Sequence, residues 1–331
     1  GVTMKRFLLE KYRIICMVVW VVMLALSYEG QAIACDLCTL GGFGGTTGAI
    51  NPTAAEAPAK NKFTVGYMLE YQDWESVDIH KAHALHEEGR DAHARKNDIS
   101  NSIFLGYGIT GAFSVSLQLP YVERRSKEVH DHELLGEDQT STGLGDSILL
   151  GKYKFYDKQF GLAGIFGFKI PTGATNERNE SGEKYEPELQ PGAGSLDYIF
   201  GLSANKRINH WLILDGSCLY HLKTEGEQDY AFGDMVRATV GATFRVISEE
   251  NKPTFNFISE MISQFANKDE HTGETVYDSG GTTLFFAPGI SSQITKQLTT
   301  TLSAPIPFYQ ALGGQHQELD FSILFSISYD I

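Results

Sequence analysis

The segment from Leu319 to Ile331 alternates with period two. Leu319, Phe321, Ile323, Phe325, Ile327, Tyr329 and Ile331 form one row, and Asp320, Ser322, Leu324, Ser326, Ser328 and Asp330 form the other. That period puts one row on each face of a β-strand, one face apolar and one wet. The strand ends on an apolar residue with an aromatic two positions earlier, and in this it resembles the C-terminal insertion signal of bacterial outer-membrane β-barrels. The expectation is a membrane protein whose wall is made of strands.

The same grammar runs back through the chain. Alternating segments fall at 63–71, 103–109, 113–121, 145–156, 162–170, 198–204, 212–220, 236–246, 255–265, 284–290 and 298–306. With the final segment they make twelve. Connections after the odd-numbered strands are long and those after the even-numbered ones short, the pattern of an outer-membrane barrel with short periplasmic turns and long outer loops. An even strand number puts both ends of the barrel in the periplasm. The expected fold class is therefore all-β: a transmembrane antiparallel up-and-down β-barrel of about twelve strands. Ile331 should close it by pairing the last strand with the first, leaving Ser326 and Ser328 facing the lumen.

Composition agrees. Only 42% of residues are in the hydrophobic set and the mean hydropathy is −0.18, too polar for a bundle of membrane helices. A barrel tolerates this because half of each strand faces water. The one long apolar stretch, Ile14 to Leu26, follows Lys5, Arg6, Lys11 and Arg13 and precedes Ala32-Ile33-Ala34. It is too short to cross the hydrocarbon and reads as a signal peptide with an A-x-A cleavage site. The expected plan is a signal peptide at 1–34 (residues 1–3 lying upstream of Met4), a periplasmic segment at 35–61 serving as plug or anchor, and a barrel at 62–331. A net charge of −14 makes nucleic acid a poor partner. The partners expected are outer-membrane lipid, the barrel-assembly machinery, a small-molecule solute and a periplasmic or surface protein.

Chemistry-bearing residues fall into three sets. The wet rows carry Glu70, Asp146, Lys152, Lys154, Lys169, Asp197, Arg237, Arg245 and Glu260, which are expected to line the lumen as a bracing network or as a selectivity region. His80, His83 and His86 in the first long loop, with Glu87 and Glu88, and His130 and His132 in the second, suit Zn, Cu or Ni; they equally suit a hydrated loop with incidental histidines. Cys35 and Cys38 follow the cleavage site directly and read as a local disulfide, a lipid anchor at Cys35, or a metal or redox pair. No G-x-S-x-G, H-E-x-x-H or Gly-rich phosphate loop is present, so no enzyme and no cofactor are expected.

Three segments carry a family likeness. Gly143-Leu144-Gly145-Asp146, Lys169-Ile170-Pro171-Thr172-Gly173 and Gln190-Pro191-Gly192-Ala193-Gly194-Ser195-Leu196-Asp197 stand in this order. In that order and spacing they resemble the outer-membrane transporter-like family labelled for the meta-pathway of phenol degradation, itself distantly similar to the long-chain fatty acid transporters. The resemblance implies passive uptake of a small, apolar or aromatic compound. From the residues alone, a structural barrel that scaffolds a metal or redox protein is the alternative.

Overall fold

The computed structural model describes residues 58–75, 94–127, 138–247, 253–277, 279–312 and 317–331. Seventeen strands follow in order: β1 (Phe63–Trp74), β2 (Ala94–Gly108), β3 (Phe113–Lys127), β4 (Asp138–Leu144), β5 (Ser147–Asp157), β6 (Gly161–Ile170), β7 (Asp197–Arg207), β8 (Leu212–Leu222), β9 (Tyr230–Ala231), β10 (Met235–Ile247), β11 (Thr254–Ala266), β12 (Glu270–His271), β13 (Glu274–Thr275), β14 (Gly281–Gln293), β15 (Leu298–Ser303), β16 (Ile306–Leu312) and β17 (Leu319–Asp330). Antiparallel pairing closes them into a twelve-stave barrel. Two staves are each made of two pieces, β4 with β5 and β15 with β16. The short strands β9, β12 and β13 form a separate small sheet.

Closure joins the two ends of the sheet. β1 pairs with β17 from Thr64↔Asp330 to Gln72↔Ser322, and Phe63 and Ile331 exchange backbone hydrogen bonds at 3.3 and 2.8 Å. The outward row is apolar and ends in aromatics. Phe63 and Tyr107 meet at 4.4 Å between ring centroids at the short-turn end, and Tyr71 and Phe321 at 6.1 Å toward the other. An apolar belt between two aromatic girdles is the exterior of a lipid-embedded barrel. Because that belt faces outward on a closed barrel, the protein resides in the bacterial outer membrane.

Several strands outrun the membrane. β2 and β3 each have 15 residues, whereas about 9–11 suffice to cross. The sequence places the start of β2 at Ile103; it begins nine residues earlier in a polar stretch where apolar alternation gives no signal. The surplus stands above the lipid on the long-loop side. At the opposite mouth, the chain before β1 lies on the inner face of β2. A Cβ at Gly108 would sit 2.1 Å from the Ala59 carbonyl oxygen, so only glycine admits this backbone.

The interior differs from a uniformly wet lumen. Ile148, Leu150, Ile165, Ile199 and Leu219 form one buried apolar cluster on the inner faces of β5 to β8. Trp74, Met235, Ile262, Ala266, Phe285, Ala287 and Leu319 form another at the long-loop end. Leu319 is a correction to its assigned row. A register shift between Asp73 and Trp74 turns it inward, where it is 3% exposed.

Candidate solute site at the mouth of the barrel

Lys169 organises one side of the mouth. It points inward from β6, paired in register with Asp197 on β7. Its Nζ donates to Asp146 Oδ2 at 2.9 Å and to Ser195 Oγ at 2.9 Å and lies 3.0 Å from Asp197 Oδ2. Both carboxylates are further held by backbone: Asp146 accepts from Gly173 N–H and Ala193 N–H, each at 2.9 Å, and Asp197 accepts from Thr224 N–H at 3.0 Å. His221 Nε2 stands 3.4 Å from Asp197 Oδ2. A buried ion group of this kind is favourable only when its remaining lone pairs are filled, and backbone amides fill them here.

Those amides belong to the segment 171–196, which folds inward instead of standing in solvent. Gly173 and Gly192 meet back to back over Asp146. A Cβ on either would lie 2.6 Å from the other's Cα. The segment then reaches over β5 to β2 and β3. Arg95 of β2 donates to the Glu188 carbonyl oxygen at 3.0 Å, and Arg124 of β3 donates to the same oxygen. Beneath it lies a cavity of about 110 Å³, reached by side chains of β1, β2, β3, β5 and β6. An engineered apolar cavity of ~150 Å³ takes a benzene molecule, so the space is of small-solute size.

A second polar knot ties the rim together beyond the ends of β8 and β11. Asp269, fully buried, accepts from Tyr230 Oη–H at 2.6 Å and Gly233 N–H at 2.7 Å, while Ser279 Oγ accepts from Asp269 N–H at 2.8 Å. Tyr230 Oη also lies 3.2 Å from Glu188 Oε1. Burial pushes the Asp269 carboxyl up to about 6 despite those two donors. Burial likewise pushes the Lys223 ammonium down to about 8, against the pull of Asp269 and Asp234.

The other side of the mouth is built differently. β16 pairs with β14, and β15 with both β14 and β17. The β15–β17 ladder ends at Ser303↔Leu324, with one further bond from Ser322 N–H to the Pro305 carbonyl at 2.9 Å. Above that point no backbone bond joins β16 to β17 among the described residues. Pro305 and Pro307 remove two donors from this stave, and proline is tolerated in sheets at edges and bulges. The register also slips between Leu284 and Phe285, leaving Phe308 unpaired. Among the described residues, one side chain bridges the seam. Gln310 donates to the Leu319 carbonyl at 3.0 Å and accepts from its N–H at 3.1 Å. Inside, the seam faces the apolar cluster containing Phe285 and Leu319, against which Leu312 packs.

The model of the family described as "Putative MetA-pathway of phenol degradation" matches residues 81–310. The chain belongs to that family. Among solved structures, it is similar to an outer-membrane channel of Pseudomonas putida F1 with 13% identity, a TM-score of 0.56, and coverage of 83% of this chain and 97% of the channel. The β domain of the Bordetella autotransporter BrkA follows at 9% identity, TM-score 0.49, covering 82% and 100%. A mutant of the TodX monoaromatic hydrocarbon channel shows 9% identity, TM-score 0.43, covering 83% and 91%. At these identities the likeness is one of fold. No curated protein matches the chain in sequence.

The residues singled out in the sequence are placed as follows. Asp146, Lys169 and Asp197 come together. Glu70, Arg237 and Glu260 are buried on the inner rows of β1, β10 and β11, with Arg237 in electrostatic reach of both carboxylates. Lys152 is buried on β5, Lys154 is bonded to Asp157 at 2.5 Å near the short-turn end, and Arg245 is half-buried on β10. Cys35, Cys38, His80, His83, His86, His130 and His132 lie outside the described residues. Sequence reasoning missed Arg95, Asp98, Arg124, Glu188, Tyr230 and Asp269. All stand on strand extensions or inward loops, where no period marks a polar residue as interior.

Proposed function

We propose that this barrel passes a small, largely apolar solute, of the size of a single aromatic ring, and releases it sideways through the wall between β16 and β17. The observation that carries this reading is the seam. An outer-membrane wall is closed by a continuous hydrogen-bond ladder because unpaired backbone groups in lipid are costly. Here the ladder stops, two prolines keep it from resuming, and the gap is lined inside by Trp74, Phe285, Leu312 and Leu319. An apolar solute leaving by that route would not need to cross the charged interior around Arg237 and Glu260. The family description, with its link to phenol degradation, and the channel nature of the Pseudomonas putida F1 structure support passage rather than catalysis.

The test is to lock the seam. Gln310→Cys with Leu319→Cys, in a background where Cys35, Cys38 and Cys218 are serine, is reconstituted in liposomes and bridged by oxidation or a short bis-thiol reagent. Toluene or phenol entry should fall at least tenfold on bridging and return on reduction or in the unbridged protein. Unchanged entry through the bridged wall would overturn the lateral route.

A further inference from the structure

We propose that the cavity beneath the inward segment is a site for a small protonated amine, an ammonium group carried on a compact apolar body. The proposal rests on the channel reading and names one class of solute for it.

Of the acids around the cavity, Asp146 and Asp197 are saturated by Lys169 and by backbone amides. Glu70 and Asp98 are not. They stand on the inner rows of neighbouring staves, with Glu70 opposite Ser100 and Gln72 opposite Asp98 in the register. Glu70 is 2% exposed and Asp98 5%. Gln72 Nε2 donates to Glu70 Oε1 at 3.2 Å, but Glu70 Oε2, both Asp98 oxygens and Ser100 Oγ have no hydrogen-bond partner. Arg95 reaches Asp98 only at 3.5 Å, beyond hydrogen-bond length. Arg237 acts on Glu70 through charge alone. Buried carboxylate oxygens without donors are expensive, and Glu70, Asp98 and Ser100 all open onto the cavity.

The chemistry of the missing group follows. It must bring several N–H donors and a positive charge to two acids and a hydroxyl on adjacent strands. An alkylammonium carries three donors and no acceptor, and charge-assisted bonds are the strong ones. A bare metal ion fits less well, since no group of three or more His, Cys, Asp or Glu side chains able to hold one occurs among the described residues. The remaining wall is mixed: Arg124, Lys169, His221 and Lys223 also reach the cavity, with Lys169 tied to Asp146 and Asp197, and one sector is apolar. Pro120, Val122 and Ile148 face the same cavity and are buried on the inner rows of β3 and β5. Its volume of about 110 Å³, below the ~150 Å³ that takes benzene, limits the body to one ring or a short alkyl chain at most and excludes a lipid.

The test titrates the full chain in detergent at pH 7 with benzylamine, which is then cationic, and with benzyl alcohol, its neutral near-isostere. Benzylamine should bind at least tenfold more tightly. Glu70→Gln with Asp98→Asn should abolish that preference, and Ser100→Ala should narrow it two- to threefold in a barrel whose folding is not in question. Equal affinity for the two probes would overturn the site in the unaltered protein, without recourse to any variant. Displacement of benzylamine by millimolar calcium would overturn it in favour of an inorganic cation site. Toluene entry into liposomes is measured alongside. Entry without amine preference sinks the amine site and leaves the channel reading standing. Amine preference without any entry sinks the channel reading instead.

Discussion

Two staves of this barrel are broken in the same way and finished in opposite ways. β4 and β16 are both half-staves on the long-loop side, and each has a neighbour on one edge only: β4 pairs with β3 and β16 with β14. An exposed strand edge is a liability that a protein must cover. The edge of β4 is covered by the inward segment. Ala174 N–H bonds the Leu144 carbonyl at 2.8 Å, and a Cβ on Gly143 would meet Ala174 and Pro191. Lys169, Asp146 and Asp197 lock that cover in place. Among the described residues, the edge of β16 is held by Gln310. One break has become a staple and the other a seam. The local difference is legible in chemistry: an aspartate that backbone amides can reach at 146, and prolines that cannot donate at 305 and 307.

The sharpest way to break the comparison is to weaken the staple. Lys169→Met leaves the Asp146 and Asp197 carboxylates facing each other in a buried site, and stranding buried charge costs on the order of 3–5 kcal/mol. The expected result is a lower urea midpoint and a larger single-channel conductance as the inward segment unseats. An unchanged midpoint would remove the ion group from any structural role.

A smaller effect is expected from the rim knot as pH changes. Asp269 has its carboxyl raised to about 6 from 3.8, so the folded state holds the proton more tightly than the unfolded one. The stability this brings is fully present below about pH 4 and is lost as pH rises through 6, to the extent of roughly 3 kcal/mol. Protection of the rim amides from hydrogen exchange should therefore fall between pH 4 and 6 and stay flat in Asp269→Asn. Glu188, Tyr230 and Lys223 face the same carboxyl, so a slope that survives in Asp269→Asn would assign the effect to them.

The smallest effect belongs to the seam. Gln310→Ala removes two hydrogen bonds to Leu319, worth about 1–2 kcal/mol together. Global stability should barely move, while exchange of the Leu319 to Ile323 amides quickens and toluene entry rises two- to threefold. If the β4 edge amides quickened equally, the two edges would not differ as described.

Much of this fold was legible in the sequence because lipid imposes its period on the outer face. Twelve staves, the β1–β17 closure and the alternation of short and long connections all follow from rows such as Phe321, Ile323 and Phe325. The inner face was far less legible. Nothing outside lipid forces a residue there to be polar or apolar, so Ile199 and Asp197 sit in the same inward row of β7, one in an apolar cluster and the other in the staple. Lys169 and Asp197 could be associated because the strand register puts them opposite one another, and Asp146 because it immediately precedes β5, the other neighbour of β6. Arg95, Arg124 and Glu188 could not, because they meet through a loop that leaves the ladder. Pro305 and Pro307 were visible as letters, yet their meaning depended on β17 continuing past them.

The pairing of β1 with β17 has a kinetic side as well. Thr64 Oγ1 bonds Asp330 Oδ1 at 2.5 Å across 266 positions of chain, and every other bond of that ladder spans nearly as much sequence. Contacts so distant form slowly, since the entropy of closing the loop is lost before the contact returns anything. Neighbouring hairpins such as β2–β3 and β5–β6 can zip early, but the resulting sheet still has two raw margins until its first and last strands meet. The moment of greatest exposure to aggregation is therefore a nearly finished barrel with only that final ladder unmade.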